Sequence, residues 1–206
     1  MTTETDRTGY LELILGPMWS GKTSELLRIH RQFTYCGQTT CVINYEDDKR
    51  YSETMLVSHD KLMIPCIMSK SFADILQSDD QYNAVHDAAV ILINEGQFFD
   101  DIVPFVRSMV DDYHKKVYIC GLDGDFQRNP IGHLFDLIPI CDKLTKLNSL
   151  CGICKNGTMA PFSFRISHET DQVVIGSDNY VPLCRKCYTV KEHQKNQNQM
   201  GVHLKR

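Results

Sequence analysis

Gly16-Pro17-Met18-Trp19-Ser20-Gly21-Lys22-Thr23 fits the pattern G-x-x-x-x-G-K-[ST] between an apolar run and a helix-like stretch. Glycines let backbone N–H groups converge on phosphate, and the start of a helix adds positive potential there. Lys22 is then placed to reach the β and γ phosphates of a nucleotide, and the Thr23 hydroxyl to ligate magnesium. A second stretch, VILINEGQ at 90–97, ends its apolar run in Asn94 and a lone carboxylate, Glu95. An acid at the rim of a sheet can accept the proton of an attacking hydroxyl; the bland alternative is a helix-start acid favoured by the macrodipole. In P-loop enzymes a second strand commonly ends in an Asp that holds magnesium through water, and here Asn94 takes that place.

Four of the nine cysteines form two C-x-x-C pairs, Cys151 with Cys154 and Cys184 with Cys187. Four thiolates in two knuckles make a closed tetrahedral zinc site with no ligand position left for water. The zinc is therefore expected to be structural, tying down residues 155–183, which are too few and too polar to fold alone. Cys36, Cys41, Cys66, Cys120 and Cys141 are scattered through apolar stretches, a usage that suits metal ligands plus buried thiols in a reducing compartment.

These groups need elements to hold them. Strand candidates are YLELIL (10–15), TTCVINY (39–45), VILI (90–93) and KVYICGL (116–122). Helix-like stretches lie between them: TSELLRIHRQF, stopped by Gly37, then SFADILQS and DDIVPFVRSMVDDYH. Strands alternating with helices predict an α/β fold with a mainly parallel, doubly wound sheet, whose ligands bind at the carboxyl edge of the strands. The motifs above lie at those edges. From residue 151 the texture turns to Cys, Gly, Ser and Asp with short β-like pieces, FSFRI and QVVI. The expected organisation is a flexible N-terminus (1–9), a nucleotide-binding domain (10–149), a zinc-binding unit (150–190) and a disordered polar tail (191–206).

A chain of 206 residues can bury a sizeable core, roughly 70–75% of its extended surface. The net charge of −4 and pI near 6.0 argue against a phosphate backbone as main partner, which leaves a small molecule as the expected one. No targeting signal and no apolar run of about 18 residues is found, so the expected location is the cytoplasm, with no membrane partner.

Taken together, GPMWSGKT, DKRYS at 48–52, NEGQFF at 94–99, LDGDFQRNPIG at 122–132 and the paired C-x-x-C resemble the type II thymidine kinases, the cytosolic and viral family with a zinc-held lasso. The resemblance covers roughly residues 10–188. It implies a P-loop, RecA-like sheet with a small lasso, and ATP-dependent phosphorylation of the 5'-hydroxyl of thymidine. Glu95 is then the general base, and ATP with magnesium lies on Gly16 to Thr23, Asp48, Lys49, Arg50, Asn94, Gln97 and Arg128. Phe126 stacks on the base, and Met18, Leu122 and Ser163 surround the thymine methyl. Asp171, Gln172, Val173, Val174 and Ile175 read the pyrimidine edge through their backbone, with Tyr180 beside the substrate. The resemblance also implies a homotetramer (host cytoplasm if viral) and feedback inhibition by dTTP.

Asn94 departs from the family's usual Asp, and Asp48 is expected to compensate in part by facing the same metal water. Phe164 replaces a usual Lys, Asp100 a usual Pro, and the stretch after Cys154 is one residue longer around Pro161. The rival readings are a zinc-containing P-loop ATPase acting on nucleic acid, which calls for a basic stripe with interleaved aromatics, and a non-catalytic adaptor built on the zinc unit.

Overall fold

The computed structural model describes residues 8–47, 54–57, 62–167, 169–174 and 176–203. A run of β1 (Tyr10–Leu15), α1 (Lys22–Tyr35) and β2 (Thr40–Tyr45) opens the fold. A short antiparallel pair follows, β3 (Met55–Val57) with β4 (Met63–Pro65), then β5 (Ile67–Ser69), α2 (Phe72–Gln77), α3 (Asp79–Asp87) and β6 (Val90–Ile93). After α4 (Ile102–Arg107), which loosens into a π-helical turn over Ser108–Asp112, come β7 (Lys116–Gly121) and β8 (Lys143–Lys146). Strands β5-β2-β6-β7-β1-β8 form one six-stranded sheet in that order, and every neighbouring pair in it is parallel.

Parallel strands covered on both faces read as continuous apolar runs, and VILI in β6 is buried at all four positions. Alternate side chains serve opposite faces. Leu11, Leu13 and Leu15 with Ile91 and Ile93 join Phe72, Phe99, Phe105 and Val106 in one core; Ile14, Val90 and Leu92 join Leu26, Leu27 and Ile29 of α1 in the other. The sheet is thus wound on both sides, as expected. Carboxyl ends of β1, β2, β6 and β7 converge on one edge, where the chain leaves as Gly16, Glu46, Asn94 and Leu122.

The four cysteines hold a smaller unit. Strands β9 (Ser149–Leu150) and β10 (Met159–Ala160) pair antiparallel, as do β11 (Phe162–Arg165) and β12 (Tyr180–Leu183). Along β11 the alternation is informative: Ser163 and Arg165 are buried on one face, while Phe162 and Phe164 pack edge-on against Tyr188 on the other. Two expectations are corrected here. Gln172–Val174 form no strand, and the carbonyls of Gln172 and Val174 accept from the side chains of Arg165 and Tyr180 rather than from a ladder. Nor is the chain from Lys191 irregular among the described residues: α5 runs over Arg185–His203. Its sequence has no apolar period, and its first half is held by tertiary contacts: Tyr188 is buried, Glu192 pairs with Arg128 at 3.1 Å and Lys195 Nζ donates to the Ser167 carbonyl at 2.9 Å. The N-terminal expectation falls mainly on residues outside those described.

Candidate functional site

The loop between β1 and α1 is shaped by close contacts. A Cβ on Gly16 would lie 2.7 Å from the Leu147 carbonyl oxygen and from Ser20 Oγ, so only glycine fits. Gly21 enters the left-handed region at φ 85° to start α1, and no side chain caps that helix. Its first N–H groups are orphans of the kind that bind anions at helix starts. Ser20 Oγ is also buried with no hydrogen-bond partner among the described residues. Lys22 is nearly buried and donates from Nζ to the Pro17 carbonyl at 2.8 Å, so its ammonium is folded back over the loop. These donors fit a polyphosphate.

Next along the edge, Glu95 has φ 54°, uncommon for a residue with a Cβ. Such strain clusters at functional sites. Gln97, 2% exposed, explains how the carboxylate is held: its Nε2 donates to Glu95 Oε2 at 2.6 Å, and its Oε1 accepts from Leu122 N at 3.0 Å. Gln97, expected among the nucleotide-binding residues, does not line the cavity in this structure, and its amide is engaged by those two bonds. Asn94 is buried as well. Its Nδ2 donates to Asn44 Oδ1 at 2.7 Å, while its Oδ1 accepts from Cys120 Sγ at 3.0 Å and lies 3.5 Å from Thr23 Oγ1.

Loop, acid and lasso border one cavity of about 330 Å³. Met18, Trp19, Ser20, Gly21, Lys22 and Thr23 line it on the phosphate side and Glu95 at the strand edge. Leu122, Phe126, Ser163, Gln172, Val173, Val174 and Tyr180 line the remainder. Gly16 and Pro17 belong to the loop but do not line the cavity. Asp171 contributes its carbonyl to Arg165 rather than to the cavity. Asp48, Lys49, Arg50 and Ile175 lie outside the described residues.

Arg128, expected among the nucleotide-binding residues, lies away from the cavity in this structure. Asp125 accepts from the N–H groups of Gln127 and Asn129, each at 2.8 Å, and this turn sets Arg128 at φ 69°. Its side chain is thereby sent to α5, 4.3 Å over the Tyr188 ring and onto Glu192, not into the cavity. Ser163 also differs in detail. It lines the cavity, but its hydroxyl accepts the Met18 N–H at 2.9 Å and so ties the phosphate loop to the lasso. Phe164 faces Tyr188, so the replacement of the family's Lys does not touch the cavity.

Sequence reasoning passed over Tyr45, Asp47, Phe98, Asp125 and Ile131, which also line the cavity. Tyr45 and Asp47 follow from the carboxyl-edge rule applied to β2. The larger omission is Arg165, 1% exposed, whose guanidinium lies 3.8 Å from the Phe126 ring centre. A lone cation in the aromatic stretch FSFRI was the available signal.

Beyond the lasso, Sγ atoms of Cys151, Cys154, Cys184 and Cys187 all lie within 4.8 Å of one another. Zn–S bonds of about 2.3 Å in a tetrahedron put sulfurs about 3.8 Å apart. Cys154 to Cys184 is 3.8 Å and Cys154 to Cys187 is 3.5 Å, a set that fits the ion. Burial pushes the Cys151 thiol up, but N–H groups of Cys184, Cys154 and Ile153 pull it down to about 6, whereas the hydrogen bond with Cys154 and burial push Cys187 up to about 12.

Comparison with known proteins points one way. The sequence model of the family described as Thymidine kinase matches residues 9–188. A thymidine kinase of vaccinia virus (strain Ankara) is 39% identical over 181 residues, covering 87% of this chain and 97% of its own. A thymidine kinase of variola virus (isolate Human/India/Ind3/1967) is 40% identical over the same shares, and that of Yaba monkey tumor virus (strain VR587) 40% identical over 88% of this chain and 96% of its own. A crystal structure of a DNA replication initiation factor superposes with a TM-score of 0.45 at 11% identity, covering 68% of this chain and 40% of that one, a likeness too slight to carry an argument.

Proposed function

The chain belongs to the thymidine kinase family and is an enzyme that phosphorylates thymidine, and from that premise we propose that it transfers the γ-phosphate of ATP to the nucleoside 5'-hydroxyl, giving thymidine monophosphate and ADP. The observation that carries the reading is one cavity lined by Lys22, Thr23 and Glu95 together.

Phosphoryl transfer asks little covalent chemistry of a protein, so positioning and charge neutralisation dominate. The triphosphate lies on the N–H groups of the phosphate loop, with Ser20 Oγ and Lys22 Nζ as further donors. Thr23 and, through water, Asn94 are the groups that would hold magnesium, which supplies charge neutralisation on the phosphates when bound. Glu95 takes the proton of the 5'-hydroxyl as its oxygen attacks, and Gln97 keeps the carboxylate aimed.

Nucleoside selectivity rests on Phe126 as the platform for the base, with Met18, Leu122 and Ser163 around the methyl group and the backbone of Gln172, Val173 and Val174 along the pyrimidine edge. A mismatched base would strand buried backbone groups at about 1–3 kcal/mol each. The four cysteines would hold structural zinc, to which their spacing is suited. Family membership supports a homotetramer, feedback by dTTP in the same lasso and a cytoplasmic setting; the net charge of −4 supports a small-molecule partner over nucleic acid.

Glu95→Gln tests the role assigned to the acid. Thymidine and a non-hydrolysable ATP analogue should still bind by calorimetry, with turnover lowered by about 10² to 10⁴. Near-normal turnover would remove Glu95 from the chemistry.

A further inference from the structure

Arg165 carries a charge in a place where charges are rarely put. Its side chain is 1% exposed, and among the described residues no carboxylate pairs with it. Neutral groups absorb all its donors instead. Nη1 donates to the carbonyls of Glu169, at 3.2 Å, and Asp171. Nη2 donates to the Gln172 carbonyl at 2.9 Å and to Tyr180 Oη at 2.7 Å, and Nε reaches the same Oη at 3.2 Å. Tyr180 Oη then donates to the Val174 carbonyl at 3.1 Å and accepts its N–H at 3.3 Å. The flat face of the guanidinium rests on the Phe126 ring.

One side chain therefore fixes both walls of the nucleoside half of the cavity. Carbonyls of the lasso are drawn inward around the fork, which sets the path of residues 171–174, and the ring opposite is backed by the same cation. An aromatic ring has two faces; with Arg165 on one, the other is left for the cavity that Phe126 lines. Guanidinium is suited to this, being planar, weakly hydrated and supplied with five donors, whereas an ammonium is a point charge with three.

We propose that Arg165 is the positioning residue that pre-forms the thymidine pocket, moulding the lasso from inside and holding the base platform before substrate arrives. The inference rests on the reading of this cavity as the nucleoside site. A pocket formed in advance binds without meeting the cost of ordering its loop, so its loss appears in nucleoside affinity rather than in the chemical step. Among the described residues none of the Arg165 hydrogen bonds reaches the phosphate loop, so ATP should be indifferent to it.

Steady-state kinetics of the full chain with its metal separate these effects. Arg165→Lys should raise the thymidine KM by at least about tenfold, with the ATP KM within about twofold and kcat little changed. It should also lower the preference for thymidine over deoxycytidine. Arg165→Gln, which buries no charge, provides a second variant with the same expected split should the lysine form fail to fold. Limited proteolysis of the nucleoside-free enzyme gives an independent readout, with faster cleavage within residues 166–176 in both variants. A thymidine KM within about twofold of the parent in either folded variant overturns the proposal, as does an equal rise for ATP. If the parent protein transfers no phosphate to thymidine, the functional reading falls by itself, and the proteolysis decides this inference: unchanged cleavage refutes it.

Discussion

Asn94 and Glu95 are chain neighbours, yet one is buried in a neutral hydrogen-bond network and the other lines the cavity. The amide oxygen of Asn94 accepts from Cys120 and faces Thr23, so it still presents a lone pair where the metal's water shell is expected, without the formal charge. Asn94→Asp adds that charge. The Asn44 amide can turn to donate to it, giving up only a long contact of 3.5 Å to Met68 Sδ. Half-maximal activity should then require less magnesium, by roughly 10- to 100-fold, the usual weight of an outer-shell ligand. An unchanged magnesium titration would show that Asn94 does not face the metal. Residues with fixed spacing were legible in this region; those acting through another side chain were not. A motif tells which residues are near a ligand, but Gln97 shows that it does not tell which way they point.

At the scale of elements, α1 carries both the phosphate-binding start and a titratable group. His30 Nδ1 is buried with no hydrogen-bond partner among the described residues. Burial, and secondarily Arg31, hold its pKa below the ordinary 6.5. The unfolded chain therefore takes up a proton near pH 6.5 that the folded helix refuses, so this contribution is present above that pH and lost as pH falls below it. The urea midpoint should decline from pH 7 to pH 5.5, and His30→Gln should flatten that part of the profile. The lasso, by contrast, has only a small apolar cluster of its own around the cysteines. Structural zinc of this kind contributes about 10–16 kcal/mol of apparent binding energy. Chelation should therefore abolish thymidine binding while the ATP analogue still binds, because the six-stranded sheet keeps its own cores. Loss of both affinities together would mean that the lasso and the sheet fold as one unit. Helix α5 escaped sequence reasoning because its polar residues carry no apolar period; contacts distant in sequence, Tyr188 with Phe126 and Glu192 with Arg128, hold it.

For the whole molecule, the sheet was readable because strands covered on both faces must be apolar throughout and helices between them enforce parallel pairing. The short elements were not: β9 is two residues long, and β5 and β8, three and four residues long, pair with strands distant in sequence. Function arises from where two units meet: Met18 N bonded to Ser163, Gln172 Nε2 bonded to Asp125 at 3.0 Å, and Tyr188 Oη bonded to the Phe126 carbonyl. On the proposed reading the phosphate donor and the nucleoside share the one cavity, which Glu95 lines at the strand edge. The most direct measurement of this account is transfer itself. Purified protein incubated with γ-labelled ATP, magnesium and each of the four deoxynucleosides in turn should place the label on thymidine as its monophosphate, with little on the purine nucleosides. Label released as free phosphate without nucleoside and stimulated by DNA, or a preferred purine acceptor, would contradict it.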